Sequence, residues 1–473
     1  MPGGDESASR AARFRQERQS AMGPEPGSDK AGRGSRSWGV GALCWICAWS
    51  GPVFAAQVDF GVGLSSTYES KMLRTTTDPR RELYQSLIGA AFIAEKNRDF
   101  NLRAIAQLEH RNFTQHTFPN DTTGFLDGAA LWTIVPQRLT WGLSDTFREV
   151  QINITAPDTP SNRTKSNSFE TGPDLTFALS TTNSLVLGAR YGRFDVENST
   201  SDNRRYGGNV RGVHSLSTQS KLSLNYEAIQ VFFEPEATPF PHVLQQNAFG
   251  RYETLRAGSG ATVDLGQSRV TQYDGGQSRQ GNLERLTLVK AFGVESTVRV
   301  SYSDEISDTY SDLLRGVTLS AVPADPAAVV LQGLATGDFY HSKLGSVTYG
   351  SQGGRFQYTL VALGRRVDFA TLDQDYDERN GRIYLTWIHS GAMRFAAYGN
   401  YSKRTYLTLD RVDIDRDTGV GADYKVNRNL AITLAGNLVR RDSTEPGVSY
   451  VDRRAMLLLG YTFGQQFQMQ SRR

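Results

Sequence analysis

The sequence predicts an all-β fold: a closed antiparallel transmembrane β-barrel of about 20 strands, or alternatively about 18, with one short helix in an extracellular loop. Three observations predict it. Segments between Val58 and Phe463 alternate apolar and polar residues with period two, these segments come in pairs joined by tight turns, and longer polar loops separate the pairs. A soluble sheet has no reason to keep short turns at one end and long loops at the other, whereas bacterial outer-membrane barrels have that asymmetry.

The only sustained apolar run of its kind is Gly39 to Trp49, preceded by Arg33 and Arg36 and followed by Gly51 to Ala56. It is too short for the roughly 20 residues of a spanning helix and reads as a secretory signal, cleaved after Ala55 or Ala56. A polar extension rich in Gly, Ser and Arg precedes it, so translation starts at Met1 or at Met22. Residues 1–56 are therefore expected to leave the mature protein, with 57–464 forming the barrel and 465–473 a short periplasmic tail. Both cysteines, Cys44 and Cys47, fall inside the leader, which leaves no disulfide or thiolate chemistry in the mature chain. Loss of the leader takes the formal charge from +3 to +1, a balance unlike that of a nucleic-acid binder.

Composition agrees with one barrel. Only 38% of residues are apolar, yet there are 46 Gly, 20 Tyr and 23 Phe. An ordinary core of this size would need more apolar residues; a lipid-facing exterior around a polar lumen, with aromatic girdles, does not.

Nine connections carry turn chemistry: Lys96 to Asp99, Val135 to Gln137, Thr181 to Asn183, Thr218 to Ser220, Ala257 to Gly260, Phe292-Gly293, Gln352 to Gly354, Ser390-Gly391 and Asn427 to Asn429. Ten longer loops alternate with them, centred on Thr75 to Pro79, Thr117 to Asn120, Pro157 to Arg163, Asn198 to Asn203, Pro235 to Pro241, Asp274 to Ser278, Asp308 to Asp338, Asp373 to Asn380, Asp410 to Asp417 and Ser443 to Gly447. This count puts both termini on the short-turn, periplasmic side.

Along the third segment, Phe100, Leu102, Ala104, Ala106 and Leu108 share one face, while Arg103, Gln107, Glu109 and Arg111 share the other. An Arg at the lipid midplane costs about 2–4 kcal/mol, so the charged face lines the lumen. The same rule makes Arg190, Glu227, Glu295, Arg299, Arg365, Arg382, Tyr384, Arg394 and Tyr398 pore-lining candidates, the tyrosines being suited to stack on sugars. These groups either set the field of an open pore or form a salt-bridged wall. One residue resists the pattern. Alternation through Leu139, Trp141, Leu143, Asp145 and Phe147 puts Asp145 on the lipid face, which predicts a bulge or a position near the membrane edge.

The Asp308 to Asp338 loop is the longest. Asp325 before Pro326 is a helix-start signal, and with Leu313, Leu314 and Arg315 it marks a candidate gate loop, or alternatively an external cap.

With the barrel placed, the chain resembles the beta-barrel porin 2 family of outer-membrane proteins found at exopolysaccharide and exosortase (PEP-CTERM) loci. The resemblance spans nearly the whole mature chain and rests on Leu139-Thr140-Trp141 with Asp145, on the Asp325-Pro326 insert leading into Phe339-Tyr340, and on the closing Leu457 to Phe463. It implies an outer-membrane location and a part in exporting or assembling surface polysaccharide, and it supplies no catalytic residues. Many such barrels end on an aromatic residue as an assembly signal. Here Gly464 to Arg473 continue past Phe463.

No enzyme or cofactor is indicated. The six histidines are scattered without metal-ligand spacing, and neighbours such as His214-Ser215 point to opposite faces of a strand. Two loops repeat carboxylates at every second position, Asp373, Asp375, Asp377 and Asp413, Asp415, Asp417; these are weak Ca²⁺ candidates, since Glu378 and Thr418 replace the EF-hand glycine. The function expected is a passive channel for exopolysaccharide, with a diffusion porin or a non-conducting scaffold or adhesion barrel as alternatives. Expected partners are outer-membrane lipid and lipopolysaccharide, the barrel assembly machinery and polysaccharide export components, with no nucleic acid.

Overall fold

The computed structural model describes residues 56–75, 79–234, 240–273, 278–315 and 334–463. The leader with its cysteines, the tail, and Asp325 and Pro326 lie outside the described residues. Twenty strands follow one another: β1 (Gln57–Glu69), β2 (Glu82–Lys96), β3 (Phe100–Phe113), β4 (Asp121–Val135), β5 (Leu139–Gln151), β6 (Arg163–Ala178), β7 (Asn183–Val196), β8 (Asn203–Ser215), β9 (Ser220–Phe233) and β10 (Val243–Arg256). The second half comprises β11 (Ser259–Gln272), β12 (Ser278–Phe292), β13 (Ser296–Asp308), β14 (Phe339–Ser351), β15 (Phe356–Phe369), β16 (Tyr376–Ile388), β17 (Met393–Tyr406), β18 (Arg411–Lys425), β19 (Leu430–Ser443) and β20 (Tyr450–Phe463). Each pairs antiparallel with its sequence neighbour, and β1 closes on β20 from Phe60↔Phe463 to Glu69↔Arg454. Closure leaves no free sheet edge, as a wall in hydrocarbon requires.

All nine predicted turns fall between an even strand and the next odd one. Five are built alike. The first side chain of the turn accepts the amides two and three residues on: Asn97 from Asp99 and Phe100, Ser180 from Thr182 and Asn183, Ser217 from Gln219 and Ser220, Ser390 from Ala392 and Met393, Asn427 from Asn429 and Leu430. Elsewhere glycine takes the left-handed conformation, at Gly258, Gly293 and Gly354.

The outer surface changes character with height. Near the short turns it is apolar, with Leu222, Leu224, Ile432, Leu434, Leu457 and Leu459 exposed. Aromatic rings crowd its rim, as in the Phe356, Trp387 and Phe395 stack and the Tyr461–Phe463 pair. Toward the long loops the outward positions instead carry ion pairs, Arg193–Asp195, Lys165–Glu197, Arg366–Asp368 and Arg440–Asp442. The strands are 13 to 16 residues long, against the roughly 9–11 a tilted strand needs to cross a bilayer. Their upper thirds therefore project beyond the membrane.

Asp145 keeps its outward parity but not for the expected reason. Its ladder is regular, opposite Gly128 and Phe169, and the irregularity lies at Thr133/Val135 near the periplasmic end. Mid-strand Asp145 is 6% exposed, covered by its neighbours beside a partner that lacks a side chain.

Two ladders stop short. The β4–β5 ladder ends at Leu126↔Phe147 and the β12–β13 ladder at Glu284↔Asp304, although β5 continues on β6 and β13 on β14 to their tips. Above those points both strands lean inward. Val150 of β5 packs with Phe194 and Val196, and Ile306 of β13 with the inward-facing Val231, Val243 and Val270.

Candidate functional site

The candidate site is the lumen, and its two halves differ. Parity with the exposed outer residues Leu108, Leu187, Tyr226, Tyr302, Leu360, Ile383 and Tyr401 places Arg103, Glu109, Arg111, Arg190, Glu227, Arg299, Arg365, Arg382, Tyr384, Arg394 and Tyr398 on the inner face. Glu295 stands apart, in the β12–β13 turn, where it abuts Gly353 of the next turn. In the lower lumen Arg299 is exposed and Arg103 and Arg382 are half-buried, so this part is open to water. Tyr384 and Tyr398 face each other across β16–β17 with ring centroids 6.2 Å apart and planes 23° from parallel. The Tyr398 hydroxyl donates to Asp417 at 2.9 Å, and Arg382 Nε donates to Asn380 at 3.0 Å.

Many predicted lining residues are tied to the wall. Arg111 grips Asp121 through Nε at 2.8 Å and Nη2 at 2.5 Å. Arg190 holds both oxygens of Asp174, at 2.8 and 2.7 Å, and Arg394 reaches Asp423 at 3.4 Å. Such bidentate forks fix guanidinium geometry and hold neighbouring strands in register.

The upper lumen is entered by the chain itself. Where β13 ends, Asp308 caps a short helix, α1 (Thr309–Arg315), its Oδ1 accepting the Ser311 amide at 2.9 Å. The helix start expected at Asp325-Pro326 lies outside the described residues. The N-cap signal at Asp308 lies in the sequence, masked there by the strand pattern running into it. Four groups pin α1 in place. Asp308 pairs with Arg205 of β8, both almost fully buried, and Asp312 accepts from Arg365 of β15 at 2.8 Å and from the Tyr340 hydroxyl of β14 at 2.7 Å. Arg315 pairs with Glu305 at 2.6 Å. Tyr310 crosses to the far wall, where its hydroxyl donates to the Phe169 carbonyl at 3.1 Å and its ring lies under Arg205, 4.0 Å from the guanidinium carbon. Contact is close enough to require glycine there. A methyl group on Gly192 would collide with the Tyr310 hydroxyl, and one on Gly337 with Phe233 and Phe240.

The far end of the same loop completes the closure. Leu334 forms a parallel bridge with Gln151 of β5, the Ala335 amide donates to the Gln151 carbonyl at 2.7 Å, and Thr309 Oγ1 donates to the Leu334 carbonyl at 2.8 Å. The β5–β6 loop leans in beside it. Ile154 joins Leu334, Tyr340, Val367, Phe369, Tyr376 and Tyr406 in one apolar cluster, and the Tyr406 hydroxyl donates to the Ile154 carbonyl at 2.8 Å. In this loop burial opposes the charge on Asp158, but Arg163 at 2.6 Å and the Arg74 guanidinium outweigh it and lower its pKa to about 2. Of the sequence candidates for the gate, Leu313 is buried against Tyr310 and Val150, Leu314 packs beside it and Arg315 is paired. Arg205, Asp308, Tyr310 and Asp312 were not singled out in the sequence, because their partners lie across the barrel.

Of the two carboxylate runs, the second falls elsewhere than expected. Asp373 and Asp375 lie in the β15–β16 loop and Asp377 in β16, whereas Asp413, Asp415 and Asp417 are all in β18. The last three share an inner face with arginines. Arg411 grips Asp413 at 2.9 and 2.6 Å, Arg441 grips Asp415 at 2.7 and 2.9 Å, and Asp417 accepts from Tyr398 and Asn437. Asp375 accepts the Phe369 amide at 2.7 Å, and Asp373 offers its carbonyl to Thr408. Oxygens committed to guanidinium and amide donors make a poor cation rim.

A closed even-stranded wall, with an apolar exterior, a polar interior and both ends of the sheet on the short-turn side, defines an outer-membrane β-barrel. Similar solved structures include the FrpB iron transporter from Neisseria meningitidis (F3-3 variant), with 9% identity, a TM-score of 0.43 and 86% of this chain and 81% of that chain covered. The siderophore receptor PirA from Pseudomonas aeruginosa has 12% identity and a TM-score of 0.41, covering 88% and 81%. OccK2 (OpdF) of Pseudomonas aeruginosa has 10% identity and a TM-score of 0.35, covering 87% and 98%. No family model matches the chain. No curated protein matches it either.

Proposed function

We propose that this protein is a gated outer-membrane channel for exopolysaccharide or its fragments, open toward the periplasm and closed at its outer mouth by α1 and the inward-leaning β13. The observation that carries the reading is the buried Asp308–Arg205 pair, which fastens the closure to a distant strand. A permanent plug has no need of a charge pair in its seam, since well-packed apolar residues serve as well or better. The resemblance to the beta-barrel porin 2 family points the same way on cargo. On this reading residues 1–56 are extension and signal, 465–473 a periplasmic tail, and the partners are lipopolysaccharide, the barrel assembly machinery and polysaccharide export components. A non-conducting scaffold is the second reading, favoured by the density of ion pairs around the closure.

Planar-bilayer recording separates the two. The channel reading expects low conductance from wild type and a larger, stable conductance from Arg205→Ala, blocked by added polysaccharide. Silence from both, in protein shown to be folded by heat-modifiable electrophoretic migration, leaves the scaffold.

A further inference from the structure

We infer that the inner face of β16–β19 in the lower lumen is a saccharide subsite that takes the pyranose rings of an acidic glycan. The inference rests on the conduit reading above and names its cargo class. Tyr384 and Tyr398 stand side by side with nearly parallel rings, half-buried and therefore each with a surface left toward water. The ring of Tyr398 lies flat on the wall because position 419 is glycine; a Cβ there would occupy the space of the ring. Aromatic faces carry the negative lobe of the ring quadrupole, to which the weakly positive axial C–H groups of a pyranose are drawn.

Planar polar groups surround the pair as a sugar requires. Asn400 lies directly opposite Arg382 across the ladder, one inward step above the tyrosines, and Asn380 Nδ2 donates to Asn400 at 3.0 Å. Asp417 and Asn437 flank them on β18 and β19. Apolar faces with a few convergent hydrogen-bonding groups are the usual makeup of a site for a polar ring. Arg382 decides the charge of the ligand. Its Nε is held by Asn380, and among the described residues it pairs with no carboxylate, unlike Arg190 and Arg441. A fixed guanidinium beside stacking rings fits a hexuronate, whose carboxylate it binds through its remaining N–H groups.

The test is titration calorimetry of the folded full-length barrel in detergent micelles with oligogalacturonate, and with a maltooligosaccharide of equal length as the neutral probe. Wild type is expected to bind the acidic probe more tightly. Tyr384→Ala with Tyr398→Ala should weaken both probes by about tenfold or more, whereas the double Phe variant, which keeps the rings, should stay within about twofold for the neutral probe. Arg382→Gln should weaken the acidic probe by about tenfold and leave the neutral one unchanged. No binding by wild type, equal affinity for the two probes, or unaltered affinity in the double Ala variant each overturns the inference. Calorimetry reads the subsite whether or not the barrel conducts, so binding with no conductance in Arg205→Ala would sink the conduit reading and leave the subsite standing.

Discussion

The lower and upper halves of this barrel obey one side-chain parity and put it to opposite uses. Below, the sheet closes all the way round, the exterior is apolar and inward residues such as Arg299 meet water. Above, two ladders end early and β13 is buried on both faces from Asp304 to Asp308. The exterior there carries ion pairs instead of leucines. The difference shows where the constraint lies. Inside the bilayer an unpaired strand edge costs several kcal/mol per backbone group, so the wall stays whole; beyond it, water and neighbouring segments satisfy those groups and strands are free to leave the wall.

The largest break in this contrast should come from the closure. Arg205→Ala leaves Asp308 buried without its partner, a loss of about 3–5 kcal/mol in the docking of α1. Amide hydrogen exchange should speed up in α1 and upper β13 while the lower strands keep their protection. Uniform loss throughout the barrel would show that the two halves are a single unit.

Next in size is the lipid face. Leu224→Arg, placing a charge at an exposed belt position, should cost about 2–4 kcal/mol in a denaturant titration from bilayer vesicles. The same change at Leu216, in the periplasmic turn, should cost at most about 1 kcal/mol. Equal costs would move the membrane boundary drawn here.

Gly192→Ala should push Tyr310 off the wall at about 1–3 kcal/mol, measured as faster exchange in α1. Gly212→Ala, on the next strand with open space before it, should leave α1 unchanged.

The smallest effects concern pH in the outer loops. Asp202, accepting the Val196 amide at 2.7 Å, has its pKa raised by burial to about 6. A carboxyl raised above its unfolded value binds its proton more tightly when folded, so the β7–β8 loop should gain stability as pH falls through 6 toward the ordinary value of 3.8. Asp158 behaves oppositely. Its lowered pKa gives the β5–β6 loop stability that is full above 3.8 and is lost as pH falls toward 2. Exchange at Val196 and Asn153 amides across that range reads both signs, and parallel behaviour of the two loops would contradict the assignment.

Much of the architecture is legible in short stretches of chain. Asn97, Ser180 and Ser390 announce their turns because each side chain bonds amides two and three residues away, and Leu222 to Tyr226 announces a lipid face because the pleat alternates whatever the neighbours are. The lumen parity of Arg190 and Arg382 is readable for the same reason. One misreading shows where this locality ends. Asp413 to Asp417 looks like a loop because of its charge, but the arginines that neutralise it stand on β18 and β19 and on no contiguous motif. The helix at Asp308 was not read from the strand pattern, because Arg205, Arg365 and Tyr340, which hold it, stand on other strands.

What the sequence by itself determined is the barrel: its strand count, its nine turns, the side on which its ends lie and which residues face lipid. Those follow from period-two alternation and turn chemistry, interactions that reach only a few residues along the chain. Only the tertiary structure decided that α1 docks across the mouth, which charges are paired and that two tyrosines stack beside an arginine held by Asn380. The contacts of α1 and the β5–β6 loop join segments far apart in sequence, and they exist only once closure of the wall has brought those segments together.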